Sequence, residues 1–97
     1  MNKIVGDFWI KPMGENLFSI GFTEEALKKY GVIWIFNSRS TKERTLKVGI
    51  PFAHIESRRR LTCLKSPVDG TIVSWNAEVF NTPDSITSET ILLEVTL

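Results

Sequence analysis

Ninety-seven residues suit one small domain, read as residues 1–97, and 42% hydrophobic content can build a core rather than a disordered chain. A formal charge of +1 argues against a dedicated nucleic-acid binder, and one cysteine excludes both an internal disulfide and a multi-cysteine metal site. No run approaches the roughly 18 apolar residues that span a membrane. The opening MNKIVGDFWIKP has no long apolar run either, so the expectation is a cytoplasmic protein without a signal peptide.

Lys3 to Trp9 and Leu17 to Phe22 are short apolar segments around Pro12, Gly14 and Asn16, which is the pattern of a hairpin. Thr23 to Tyr30 reads as the one short helix. Thr23 can cap it, because its hydroxyl accepts from a free N–H of the first turn. Glu24 and Glu25 suit the positive end, and Lys28 and Lys29 the negative end. The pairs Glu24–Lys28 and Glu25–Lys29 add roughly 0.2–0.5 kcal/mol each. Gly31 stops the helix, and Ala26, Leu27 and Tyr30 form its apolar stripe. Two turns are unstable alone, so the stripe must pack on a sheet.

Val32 to Phe36, VIWIF, is a continuous apolar run and reads as the most buried strand, with Trp34 and Phe36 in the core. Asn37 to Lys47 is polar and basic, the pattern of a long, mobile hairpin on the solvated surface. Val48 to Ile55 and Leu61 to Leu64 flank four polar residues, Ser57 to Arg60, as strands flank a hairpin tip. His54 lacks a partner at metal spacing and reads as structural. Cys63 reads as an inert, partly buried thiol. Pro67 and Asp69-Gly70 mark a second turn before the strand Thr71 to Trp75. Asn76 to Glu89 is a long connection, and Ile91 to Leu97 the last strand.

The strand count and the lack of long helices give a mostly antiparallel β domain whose two apolar faces must meet, a flattened barrel or sandwich. No nucleophile stands beside a base, no glycine-rich phosphate loop is present, and no carboxylate pair has motif spacing, so the chain reads as a non-enzyme.

One stretch says more. Glu56 to Gly70, ESRRRLTCLKSPVDG, resembles the modification site of the glycine cleavage H proteins, members of the lipoyl/biotinyl carrier domains. That family's pattern is Glu-Ser-Val-Lys-Ala, a short strand, then Ser-Pro-Val-x-Gly. Glu56, Ser57, Ser66, Pro67, Val68 and Gly70 match it with the spacing kept. Trp9, Gly21-Phe22-Thr23, Asn76, Pro83 and Ile86 extend the resemblance over Phe8 to Thr96. It is thinnest at Asn37 to Lys47, which lacks the family's Leu-Pro and further glycine, and near the end, where Thr90-Ile91 replaces Gly-Trp.

The resemblance implies the lipoyl-domain fold, a barrel-sandwich hybrid of two small sheets with an exposed central hairpin. It implies a carrier whose cofactor is lipoate and whose arm visits glycine decarboxylase, aminomethyltransferase and dihydrolipoyl dehydrogenase. In the family the lipoylated lysine occupies the place of Arg59, with Glu56 and Gly70 at the fixed flanking positions. Lipoate is attached by acylating a primary amine. A guanidinium, protonated with a pKa above about 12, is a poor acceptor, and Arg58 and Arg60 offer no substitute.

No bound cofactor is therefore expected. The first expectation is a binding domain whose Arg58, Arg59 and Arg60 grip carboxylates or phosphates on a protein partner, such as an enzyme of the glycine cleavage or lipoate pathways. A second is a carrier modified at Lys65 or Cys63. A third is a phosphate or nucleic-acid contact module formed by the Arg tip and the Arg39 to Lys47 loop.

Overall fold

The computed structural model describes residues 2–39 and 44–97. Strand β1 (Lys3–Val5) leads into β2 (Phe8–Gly14), and β3 (Leu17–Phe22) returns. Lys3 to Trp9 is thus two strands, because Gly6 adopts φ 60° and turns the chain between them. The β2–β3 turn is tighter than expected. Pro12 and Gly14 belong to β2, at a register shift, and Asn16 alone takes the left-handed conformation, φ 61°.

Helix α1 (Glu24–Tyr30) forms as its caps require. Thr23 Oγ1 accepts from Ala26 N at 3.1 Å, and the Gly31 N–H, at φ 75°, donates to Leu27 O at 2.9 Å. Ala26 and Tyr30 are buried, with Leu27 partly so. Strand β4 (Ile33–Ser38), β5 (Thr45–Leu46), β6 (Pro51–Ser57), β7 (Leu61–Lys65) and β8 (Gly70–Trp75) follow. A short helix α2 (Glu78–Asn81), a 3₁₀ turn (Pro83–Ser85) and β9 (Leu93–Thr96) complete the order.

The strands form an antiparallel six-stranded sheet in the order β1-β2-β3-β9-β8-β5 and an antiparallel three-stranded sheet in the order β4-β6-β7. Aromatic rings join the two. Phe8 of β2 meets Phe52 of β6, Phe22 of β3 meets Phe36 of β4, and Trp75 of β8 meets both Phe36 and Phe52. Centroid separations of 5.8–6.4 Å are those of packed aromatic pairs. The extents of 36 × 30 × 23 Å fit the expected flattened sandwich.

The expected long connection Asn76 to Glu89 carries local structure. Asn76 Oδ1 accepts from Glu78 N at 3.1 Å, and its Nδ2 donates to Ile91 O at 2.8 Å, which fixes the entry to α2. Phe80 then closes the core over Phe36 and Trp75.

Val32 to Phe36 is not the most buried strand. Strand β4 is an edge of the small sheet, and Ile33 pairs with Ser57 while Ile35 pairs with Glu56, so Trp34 is one residue too many. Such a bulge resets the alternation of faces. Ile33 and Phe36 point into the core, and Trp34 and Ile35 both turn outward, 58% and 39% exposed. Of the expected basic loop, residues 40–43 lie outside the described residues. Its remainder includes β5, which pairs with β8 rather than forming a hairpin with β4.

Candidate functional site

The hairpin β6–β7 carries the four-residue tip Ser57 to Arg60. Ser57 N donates to Arg60 O at 2.9 Å, and the Ser57 hydroxyl donates to the same oxygen at 3.0 Å. A serine here is therefore a turn lock, and it is buried. The tip is also held from outside. Arg58 N donates to Val32 O at 2.8 Å, and Arg59 N to Tyr30 O at 3.3 Å. The tip thus rests on the exit of α1.

Gly31 faces the tip: a Cβ there would make ordinary contact, 3.4 Å from Arg58 Cβ and 3.6 Å from Arg59 Cγ and Nε. Glycine is required at this position by its φ of 75°, as the helix stop read from the sequence.

A second anchor fixes α1. Asp7, in the turn between β1 and β2, accepts from the Tyr30 hydroxyl and from Lys29 Nζ, the latter at 2.8 Å to each carboxylate oxygen. Burial disfavours the Asp7 charge, but the Lys29 and Tyr30 hydrogen bonds outweigh it and hold the carboxyl below the ordinary range. Burial, then the carboxylate beside it, pushes the Tyr30 hydroxyl well above its usual range. The Arg60 charge acts on both groups. Neither Asp7 nor Tyr30 stands out in the sequence, because nothing local links residues 23 positions apart.

Arg58, Arg59 and Arg60 are all exposed, and among the described residues none of them forms an ion pair. Glu56 is exposed beside the tip, in register with Ile35 of β4 and Leu61 of β7. Gly70 is not near it: it opens β8 beyond the far end of β7, a strand whose five residues run about 16 Å. A Cβ on Gly70 would overlap the Thr96 carbonyl oxygen, so glycine is needed for close approach of two strands. The turn before it is closed by Ser66 and tied from outside to Val48. Ser66 Oγ donates to Val68 O at 2.7 Å and accepts from Val68 N at 3.2 Å, and Asp69 Oδ1 accepts from Val48 N at 2.8 Å.

The alternative anchors lie elsewhere. Lys65 is exposed at the end of β7 away from the tip. Cys63 is exposed rather than partly buried, because β7 is an edge and Cys63 points to its outer face, paired with His54. His54 is half-buried, with Nε2 3.4 Å from Asn37 Nδ2. Lysines read from the sequence only as helix-end charges stand next to the tip instead. Lys28 and Lys29 occupy the last turn of α1, on which the tip rests, with Lys29 engaged by Asp7.

Arg44 Nη1 lies 3.4 Å from the carbonyls of Ile72 and Val73, in the large sheet rather than at the tip. Between β7 and the Gly6–Asp7 turn opens a cleft of about 370 Å³ lined by Phe8, Tyr30, Thr62 and Leu64. Its Thr62 hydroxyl is buried without a hydrogen-bond partner among the described residues. No three His, Cys, Asp or Glu side chains group as metal ligands among the described residues. No helix among them is long and apolar enough to cross a membrane.

A family model described as "Glycine cleavage H-protein" matches residues 2–92. The chain is 31% identical over 81 residues to the glycine cleavage system H protein of Coprothermobacter proteolyticus, covering 84% of this chain and 63% of that one. It is 30% identical over 80 residues to the same protein of Paraburkholderia phytofirmans, covering 82% and 63%. The chain therefore spans about 63% of the length of these curated relatives. The crystal structure of a glycine cleavage system H protein from Mycobacterium marinum superposes with a TM-score of 0.76 at 20% identity, over 96% of this chain and 85% of that one. At that identity the likeness speaks to the fold.

Proposed function

The chain belongs to the glycine cleavage H-protein family, and we propose that it serves there as an unlipoylated, non-catalytic binding domain for enzymes of the glycine cleavage or lipoate pathways. One observation carries the reading. The resemblance puts Arg59 at the family's acceptor position, and that residue lies on a tip whose backbone is hydrogen-bonded to Tyr30 and Val32.

A lipoyl group needs a primary amine at that point, and the tip presents three guanidiniums. The residues present do not fit amide-linked lipoate. The presentation surface is nonetheless kept: an exposed turn on a rigid pedestal, which lowers the ordering cost of any partner that grips it. Arginine forks suit carboxylates, so the tip favours a partner whose own site is acidic there.

Two measurements test this. The intact mass of the chain from its own host should equal the bare polypeptide. A mass heavier by one lipoyl group overturns the unlipoylated reading, and peptide mapping at Lys28, Lys65 and Cys63 would locate the anchor. Titration calorimetry against the purified enzymes of both pathways should find at least one that binds and that loses the parent chain's affinity when Arg58 and Arg59 are both changed to Glu. Failure of every enzyme to bind removes the adaptor role.

A further inference from the structure

The bulge in β4 does more than expose Trp34. Val32, Trp34, Ile35 and Leu61 are 46%, 58%, 39% and 72% exposed. Ile35, Glu56 and Leu61 lie in one register row across β4, β6 and β7. Val32 is joined to the tip through its carbonyl, which accepts from Arg58 N at 2.8 Å. Four large apolar side chains therefore border three arginines at one end of the small sheet.

From this juxtaposition we infer that the outer face of β4-β6-β7 is a docking site for an acidic partner segment, in which an apolar or aromatic side chain seats on Trp34, Ile35 and Leu61 while flanking carboxylates meet Arg58 and Arg59. The inference rests on the proposed binding role only in expecting a protein partner. Exposed clusters of this kind mark interaction sites, and Trp and Arg dominate interface energetics because they combine large buried area with directed hydrogen bonds.

Charge selects the occupant. Glu56 is the one acid in the row, and the next row on the same face, Asn37–His54–Cys63, has no carboxylate. A second copy turned about a two-fold axis would give the guanidiniums little to pair with, whereas an acidic segment supplies carboxylates for Arg58 and Arg59.

The test uses the full chain and a random peptide library displayed on phage, so it does not depend on the glycine cleavage enzymes. Selected peptides should be enriched in Asp and Glu around an aromatic or aliphatic residue. A synthetic peptide of the selected consensus should bind Trp34→Ser about 30-fold more weakly and Arg59→Glu about tenfold more weakly. Raising ionic strength from about 0.05 to about 0.5 M should weaken it further. Because the Trp34 ring is already mostly in water, Trp34→Ser should keep the melting temperature within about 2–4 °C.

Peptides without acidic enrichment, or a consensus peptide indifferent to Trp34→Ser, overturn the inference. So does a dimer, seen by sedimentation equilibrium, that Trp34→Ser dissolves, since that assigns the face to self-association. If peptides select as expected while no enzyme of either pathway binds, the docking site stands and the pathway assignment falls.

Discussion

Gly21→Ala is the sharpest test of how the large sheet is packed. A Cβ at Gly21 would overlap Cζ2 and Cε2 of the Trp9 indole and lie 2.6 Å from Thr90 O. The ring cannot simply swing aside, because its Nε1 donates to Ser88 O at 2.7 Å. Overpacking costs about 1–3 kcal/mol, and loss of the indole hydrogen bond adds about 1 kcal/mol. Reduced freedom of the unfolded chain returns about 0.4–1 kcal/mol.

The net is about 1–3.5 kcal/mol, which for a domain of this size lowers the melting temperature by about 5–25 °C. Thermal unfolding followed by circular dichroism and tryptophan fluorescence reads it directly. The same substitution in a Trp9→Val background should cost much less, leaving only the approach to the Thr90 carbonyl. A melting temperature unchanged by Gly21→Ala, or an equal drop in both backgrounds, refutes the account.

Asp7→Asn should destabilise by about 1–2 kcal/mol at neutral pH, the worth of charge-assisted hydrogen bonds to Lys29 and Tyr30. The folded-state carboxyl lies below its free value of 3.8. Its contribution is therefore complete above pH 3.8 and is lost as pH falls through the lower folded value. In urea titrations the gap between parent and variant should narrow below pH 3.8, and a gap that does not close refutes the charge argument. Gly70→Ala should cost about 2–3 kcal/mol by chemical denaturation, since the atom in the way is a backbone carbonyl that cannot rotate aside. No loss would mean β8 and β9 are less closely apposed than described. Arg59→Lys, given lipoate, ATP and a lipoate ligase, should gain one lipoyl group by mass while the parent stays bare. A folded lysine variant that stays bare would show that the surrounding frame no longer recruits the ligase.

Local chemistry made much of the fold legible in advance. The Thr23 cap, the acid-to-base gradient of α1 and the Gly31 stop are each decided within one helical turn, so they could be read without a partner. The tip Ser57 to Arg60 and the turn Ser66 to Gly70 were equally plain, because serine, proline and glycine act on their own backbone. Cys63 and Trp34 were misplaced for one reason. Hydrophobicity and run length describe a residue, whereas exposure depends on where its strand sits in the sheet. Both β4 and β7 are edges. Lys28 and Lys29 were passed over as candidates because sequence distance put Lys65 nearer to Arg59, and only the docking of α1 reverses that order.

By itself the sequence determined the class of fold, the family and the chemical identity of the tip, three consecutive guanidiniums; these follow from patterning and from the residues themselves. Tertiary structure alone decided what the tip rests on, which apolar side chains were left in water beside it, and why Gly21 and Gly70 must lack a Cβ. Those are contacts between segments about 12 to 70 residues apart, set by strand order and by one extra residue in β4. No local preference encodes them, because the energies involved arise only when distant surfaces meet.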